Sequence, residues 1–101
     1  MNKITYEERQ PVYEAAIAKW GAEAQAWMVI EEMSELAKEL CKARRGKNDP
    51  VALADEVADV TIMLEQVRLM FGLNDLVSER MDAKIKRLCA RLDLPVKEAW
   101  T

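Results

Sequence analysis

Apolar positions recur every three or four residues along almost the whole chain, and four breaks interrupt that rhythm. Gly21, the run RRGKNDP at 44–50, FGLND at 71–75 and Pro95 are the breaks, because glycine, proline, asparagine and aspartate are the residues that stop helices and make turns. The segments between them are rich in Ala, Leu, Met, Glu, Lys and Arg, the good helix formers. The β-branched residues are scattered, so nothing reads as a strand. The pattern therefore predicts an all-α chain of four helices. The first runs from about Pro11, which suits a first helical position, to Trp20, with Gly21 as its stop and Thr5 to Glu8 as a separate capped turn ahead of it. The second covers about 22 to 44, with Lys42, Arg44 and Arg45 at the negative end of its dipole and Gly46 as its C-terminal cap. Asp49 caps the third, Pro50 takes its first position, and Gly72 closes it after Phe71. The fourth starts after Asn74 and ends at about Leu92. No linker, repeat or low-complexity stretch divides these segments, so residues 1 to 101 read as a single domain.

A wheel at ~100° per residue shows which faces are apolar. On the second helix Ala26, Trp27, Ile30, Met33, Ala37, Leu40 and Cys41 form the expected core stripe, which Val29 and Leu36 widen on one side. Glu32 borders that widened side. On the third helix Glu56 falls inside the apolar arc of Leu53, Val60, Met63, Leu64 and Val67, with Asp59 at its edge. A glutamate in an apolar arc is costly unless something neutralises it. Ile62 adds a second apolar patch nearly opposite Leu53. Helices that are apolar on more than one side in so short a chain point to a second subunit.

Composition narrows the chemistry. The chain is half hydrophobic and one third charged, with a formal net charge of -3, which is a globular composition and one unsuited to nucleic acid as a partner. No apolar run approaches the roughly 18 residues of a membrane span, and MNKITYEERQ lacks the apolar core of a signal peptide. A cytoplasmic location without membrane contact is the expectation. Cys41 and Cys89 lie inside helical patterns and read as reduced, mostly buried small hydrophobes. Histidine is absent. That removes the commonest general base and the commonest transition-metal ligand, so catalysis would have to run on carboxylates, lysines, arginines or a hard metal ion.

Two acid pairs stand out: Glu32 with Glu35, and Glu56 with Asp59. Residues three apart on a helix lie ~5–6 Å apart at Cβ, which lets two carboxylates close on one cation. If the second and third helices fold into an antiparallel hairpin, as their short connection suggests, the pairs face each other. Four facing carboxylates repel, and an all-oxygen donor set takes Mg²⁺, with Mn²⁺ as the alternative. Glu-x-x-Glu alone also describes an ordinary solvated helix face, and the two readings differ in the weight given to Glu56.

The acids stand as EEMSE at 31–35 followed by EVAD at 56–59. In that order they resemble the signature of the MazG-type all-α nucleoside triphosphate pyrophosphohydrolases. KWGAEAQAWMVIEE, the RRG after the second helix, DEVADVTIML, the FG at 71 and 72 and the late KIKRL extend the likeness over roughly residues 12 to 92. The resemblance implies a MazG-like helical bundle completed by oligomerisation as a dimer or tetramer. It also implies Mg²⁺-dependent cleavage of a nucleotide substrate between its α and β phosphates. Carried over position by position, the metal ligands fall on Glu32, Glu35, Glu56 and Asp59. Glu31 becomes a supporting or water-positioning acid, and Glu31 or Glu35 the proton acceptor.

Lys84 and Arg87 share a face of the fourth helix and match the lysine and arginine of the family's last helix, which places them on the substrate phosphates. Gln25 lies on the Glu32 side of the wheel before the acids, where its amide could read a base edge. Two other functions fit the same sequence: a non-catalytic oligomerisation or regulatory module with a structural cation, and an enzyme like phosphoribosyl-ATP pyrophosphatase. Glu39 reads as plain solvated surface.

Overall fold

The computed structural model describes residues 2–101, and among them there are four α-helices and no strand. The helices are α1 (Tyr6–Trp20), α2 (Ala22–Arg44), α3 (Pro50–Met70) and α4 (Asn74–Arg91), followed by a short 3-10 turn at Glu98–Trp100. None of the described helices is long and apolar enough to cross a membrane. The chain forms two compact units, one ending at Phe71 and one spanning Gly72–Thr101.

Local chemistry sets the helix ends. Thr5 Oγ1 accepts from the Glu8 amide at 3.1 Å while the Glu8 carboxylate accepts from the Thr5 amide at 3.1 Å. This reciprocal box does not build a separate turn, as the sequence suggested; it starts α1 itself, five residues before the expected position. Pro11 therefore sits inside the helix. It cannot donate to the Glu7 carbonyl, yet both residues are exposed, so water can satisfy that carbonyl and the cost is tolerated near the helix start. The C-terminus of α2 is a Schellman motif: the Lys47 amide donates to the Lys42 carbonyl at 2.9 Å and the Gly46 amide to the Ala43 carbonyl at 3.0 Å. Gly46 has a φ of +70° there, the conformation for which glycine is suited. The Asp49 side chain accepts from the Val51 amide at 2.9 Å and Pro50 opens α3, as the sequence indicated.

In the first unit α2 folds back on α3 through the five residues between Arg44 and Pro50, and α1 packs on α2. The packed face of α2 is the series Gln25, Val29, Glu32, Leu36, Glu39 and Ala43, whose alternating steps of four and three are the spacing of a helix-pairing seam. This corrects the expected core stripe. Trp27, Ile30, Met33 and Leu40 are all more than half exposed, and Cys41, expected to be buried, is exposed while Cys89 is buried. The helix carries two apolar faces, and the one holding the buried Val29 and half-buried Leu36 is the one that packs.

The α3 side of the seam contains Glu56, Val60, Met63, Gln66 and Val67. Val29, Val60 and Met63 are each at least nine-tenths buried, and burial of such a side chain stabilises by about 1.5–3 kcal/mol. Even so, no described side chain is fully buried. The isolated chain has a thin core and leaves large apolar residues at its surface. Across the unit, Arg9 and Tyr13 of α1 bind Glu65 of α3. In the second unit α4 ends with Asp93 at a φ of +55° and the Leu94 amide bonded to the Cys89 carbonyl at 2.9 Å.

Candidate metal centre

Seam geometry explains how three acids meet. Glu32 lies on the packed face of α2, Glu56 lies on the packed face of α3, and Asp59 lies one turn beyond Glu56 at the solvent edge. One carboxylate oxygen from each lies within 4.8 Å of the other two. Glu32 and Glu56 are half-buried and Asp59 is exposed, so the cluster has a floor inside the hairpin and an opening to solvent.

Electrostatics make the cluster costly as it stands. Partial burial, followed by the charges of Asp59, Glu56 and Glu35, pushes the Glu32 carboxyl above its ordinary range. Glu56 is likewise raised, first by partial burial and then by Asp59, Glu35, Glu39 and Asp55. Its Oε2 is buried with no hydrogen-bond partner. Buried polar atoms are nearly always paired, and an unpaired oxygen on a carboxylate that converges with two other acids is suited to a cation. The donors are all carboxylate oxygens and the chain has no histidine, which fits Mg²⁺ or Mn²⁺ and does not favour zinc or copper.

The remaining sequence-derived residues fall in different places. Glu35 is exposed and pairs with Lys38 at 3.3 Å, yet its charge reaches both Glu32 and Glu56. It flanks the three converging oxygens without being one of them. Glu31 is exposed and, as the neighbour of Glu32, lies ~100° round the helix from the seam. Gln25 is 7% exposed, within the packed face of α2. Trp20 and Trp27 are each 59% exposed. Lys84 and Arg87 lie exposed on α4 in the second unit, and among the described residues no ion pair engages either.

One residue was missed. Glu39, read from the sequence as solvated, keeps only 15% of its side-chain exposure and its charge bears on Glu56. It lies seven residues after Glu32, and that heptad interval, which returns a residue to the same pairing face, was the available signal. Comparison of the chain with known protein families, with curated proteins and with solved structures finds no match.

Proposed function

We propose that the chain is a Mg²⁺-dependent nucleoside triphosphate pyrophosphohydrolase, yielding a nucleoside monophosphate and pyrophosphate and serving to clear unwanted nucleotides. One observation carries this reading: three carboxylates from two helices converge while a buried oxygen of Glu56 has no partner. The resemblance of EEMSE and EVAD to the MazG-type signature supplies the reaction class.

Glu32, Glu56 and Asp59 would hold the metal, with Glu35 at the rim as a further ligand. A bound Mg²⁺ supplies charge neutralisation on the phosphates and a lowered pKa of the attacking water. The protein's part is to set three carboxylates on a rigid helix pair before substrate arrives, so little reorganisation is needed during reaction. Water attacks the α phosphorus, a new P–O bond forms there, and the bridging bond to the β phosphate breaks so that pyrophosphate leaves with the electron pair. A carboxylate takes the proton from that water. Of the two candidates Glu35 is better placed than Glu31, because it reaches Glu32 and Glu56 electrostatically. On the resemblance alone, Lys84 and Arg87 would serve the substrate phosphates and Gln25 the base.

The working form is a homo-oligomer, dimer or tetramer, because Trp27, Ile30, Met33 and Leu40 line one exposed face of α2 and exposed apolar strips of that kind mark interfaces. The test is incubation of the purified protein with a panel of NTPs and dNTPs in Mg²⁺, Mn²⁺ or EDTA, resolving monophosphate, diphosphate, pyrophosphate and phosphate. Metal-dependent pyrophosphate release that Glu56→Gln or Asp59→Ala abolishes is expected. Orthophosphate as the product, or full activity in both variants, would overturn the reading. Mg²⁺ binding by a wild type that releases no pyrophosphate would instead assign the cluster a structural cation.

A further inference from the structure

Glu39 follows Glu32 by two helical turns, or about 10.5 Å along the axis of α2. That interval turns it back toward α3, where it is half-buried and its charge bears on Glu56, whose Oε2 has no partner. A further half-buried acid beside that cluster is unfavourable by itself. It is offset by Lys42, whose Nζ donates to Glu39 Oε1 at 3.0 Å.

The asymmetry of this pair is informative. Lys42 keeps 49% of its side-chain exposure and Glu39 only 15%. A fully exposed pair of this spacing holds its lysine weakly, because both side chains are free to move. Here the acceptor is largely buried in the seam, so the ammonium is held beside Glu39 with about half of its side chain open to solvent. Arg44, Arg45 and Lys47 follow within five residues and all are exposed, so this end of α2 carries further cations. The Lys42 carbonyl, which would present the negative end of the helix, is already occupied by the Lys47 amide.

We infer that Glu39 is a positioning residue that holds Lys42 ready to bind the outer phosphates of a nucleoside triphosphate at the Glu32, Glu56 and Asp59 centre. This deepens the hydrolase reading and rests on it. A lysine ammonium pairs with phosphate as a compact point charge. The acids would hold the metal near the scissile bond, and Lys42, further along α2, would meet the phosphates that leave as pyrophosphate.

The experiment uses the full chain, Mg²⁺ and the nucleotide that wild type hydrolyses best. Lys42→Met is expected to raise KM about tenfold, the loss of one charge-assisted contact, with kcat changed by less than about twofold. Calorimetry with Mg²⁺ and pyrophosphate should show a similar loss of affinity, while the nucleoside monophosphate and Mg²⁺ alone bind as in wild type. Lys42→Arg should restore pyrophosphate binding, and Glu39→Gln should weaken it less than Lys42→Met does. Wild-type KM and wild-type pyrophosphate binding in Lys42→Met, or equal losses for pyrophosphate and monophosphate, would overturn the inference while leaving the hydrolase reading intact. A wild type that releases no pyrophosphate under any metal would overturn both.

Discussion

Arg9 grips both oxygens of Glu65, Nη2 at 2.8 Å and Nε at 3.0 Å, across 56 residues of sequence. The Tyr13 hydroxyl donates to the same carboxylate, so three side chains lock α1 to α3. Nine residues earlier on the same helix, Glu56 leaves a buried oxygen without a partner. The two glutamates differ only in what faces them. The Arg9 guanidinium holds Glu65 below the usual carboxyl range, whereas partial burial and neighbouring acids push Glu56 above it. The first is a strut already satisfied by the fold, and the second keeps a buried carboxylate oxygen that the fold leaves unsatisfied.

Tyr13→Phe removes one donor from the Glu65 carboxylate and leaves the guanidinium in place. The expected cost is about 1 kcal/mol, the net worth of one such hydrogen bond, read as a lower midpoint in urea denaturation. Glu65 also fixes the acid side of the stability curve. Its folded pKa is depressed, so its contribution is present above the unfolded carboxyl value and is lost as pH falls through the lower folded one. Glu65→Gln should therefore be less stable than wild type at neutral pH and lose less stability on acidification. Equal acid limbs in the two proteins would show that the pair contributes nothing.

Helix boundaries were legible in the sequence because their causes are local. Gly46, Asp49 with Pro50, and Gly72 each act within a few residues, and each ends or starts a helix where expected. The start of α1 lies five residues before the expected Pro11 because the Thr5 and Glu8 capping box determines it. The packed face of α2 was not legible, since a wheel ranks faces by apolar content and is blind to the partner that selects one. Glu56 was legible for the opposite reason: α3 has one dominant apolar arc, and a glutamate inside it stands out. Glu39 was hidden because Lys42 one turn on makes it look like half of an ordinary surface ion pair.

Metal binding should reverse the pH dependence that the acid cluster imposes. Glu32 and Glu56 have raised folded pKa values, so the folded state holds their protons more tightly. The stability they contribute is present below the unfolded carboxyl value of 4.5 and is lost as pH rises through the higher folded values. Without metal the melting temperature should fall over that window, and Glu56→Gln should remove part of the fall. With Mg²⁺ the cation takes the place of the protons, and at about 100 times its dissociation constant it adds about 2.7 kcal/mol. The Mg²⁺-induced rise should be larger at pH 7 than at pH 5 and absent in Glu56→Gln. A rise of equal size in that variant would place the bound cation elsewhere.

The C-terminus of α4 carries a strain that one substitution relieves. Asp93 adopts a φ of +55° at the position where α2 uses Gly46, and an L side chain is penalised there. Asp93→Gly should stabilise by about 0.5 kcal/mol, the relief being partly cancelled by the greater freedom of glycine in the unfolded chain. Gly46→Ala is the mirror test. Its new Cβ would meet nothing within 4 Å, so its expected loss of about 1 kcal/mol comes from the backbone alone. Chemical denaturation of both variants reads the pair, and a destabilised Asp93→Gly would mean that the Asp93 side chain makes a compensating interaction.

The exposed face of α2 makes the last prediction. Trp27, Ile30, Met33 and Leu40 are between 52% and 59% exposed, and Cys41 on the same stripe is exposed as well. If a second copy covers this face, light scattering should give a mass of two or four times the 11.6 kDa chain. Trp27→Glu combined with Ile30→Glu would set charges into a desolvated interface without touching Val29, Glu32 or Leu36, which pack in the seam. The double variant should run at the single-chain mass and keep its helical circular dichroism. Cys41 gives an independent readout: its thiol should react slowly with a disulfide reagent in the assembled wild type and faster in the double variant. A wild type that is already monomeric at micromolar concentration, with Cys41 reacting at the same rate in both proteins, would rule out this face as the interface.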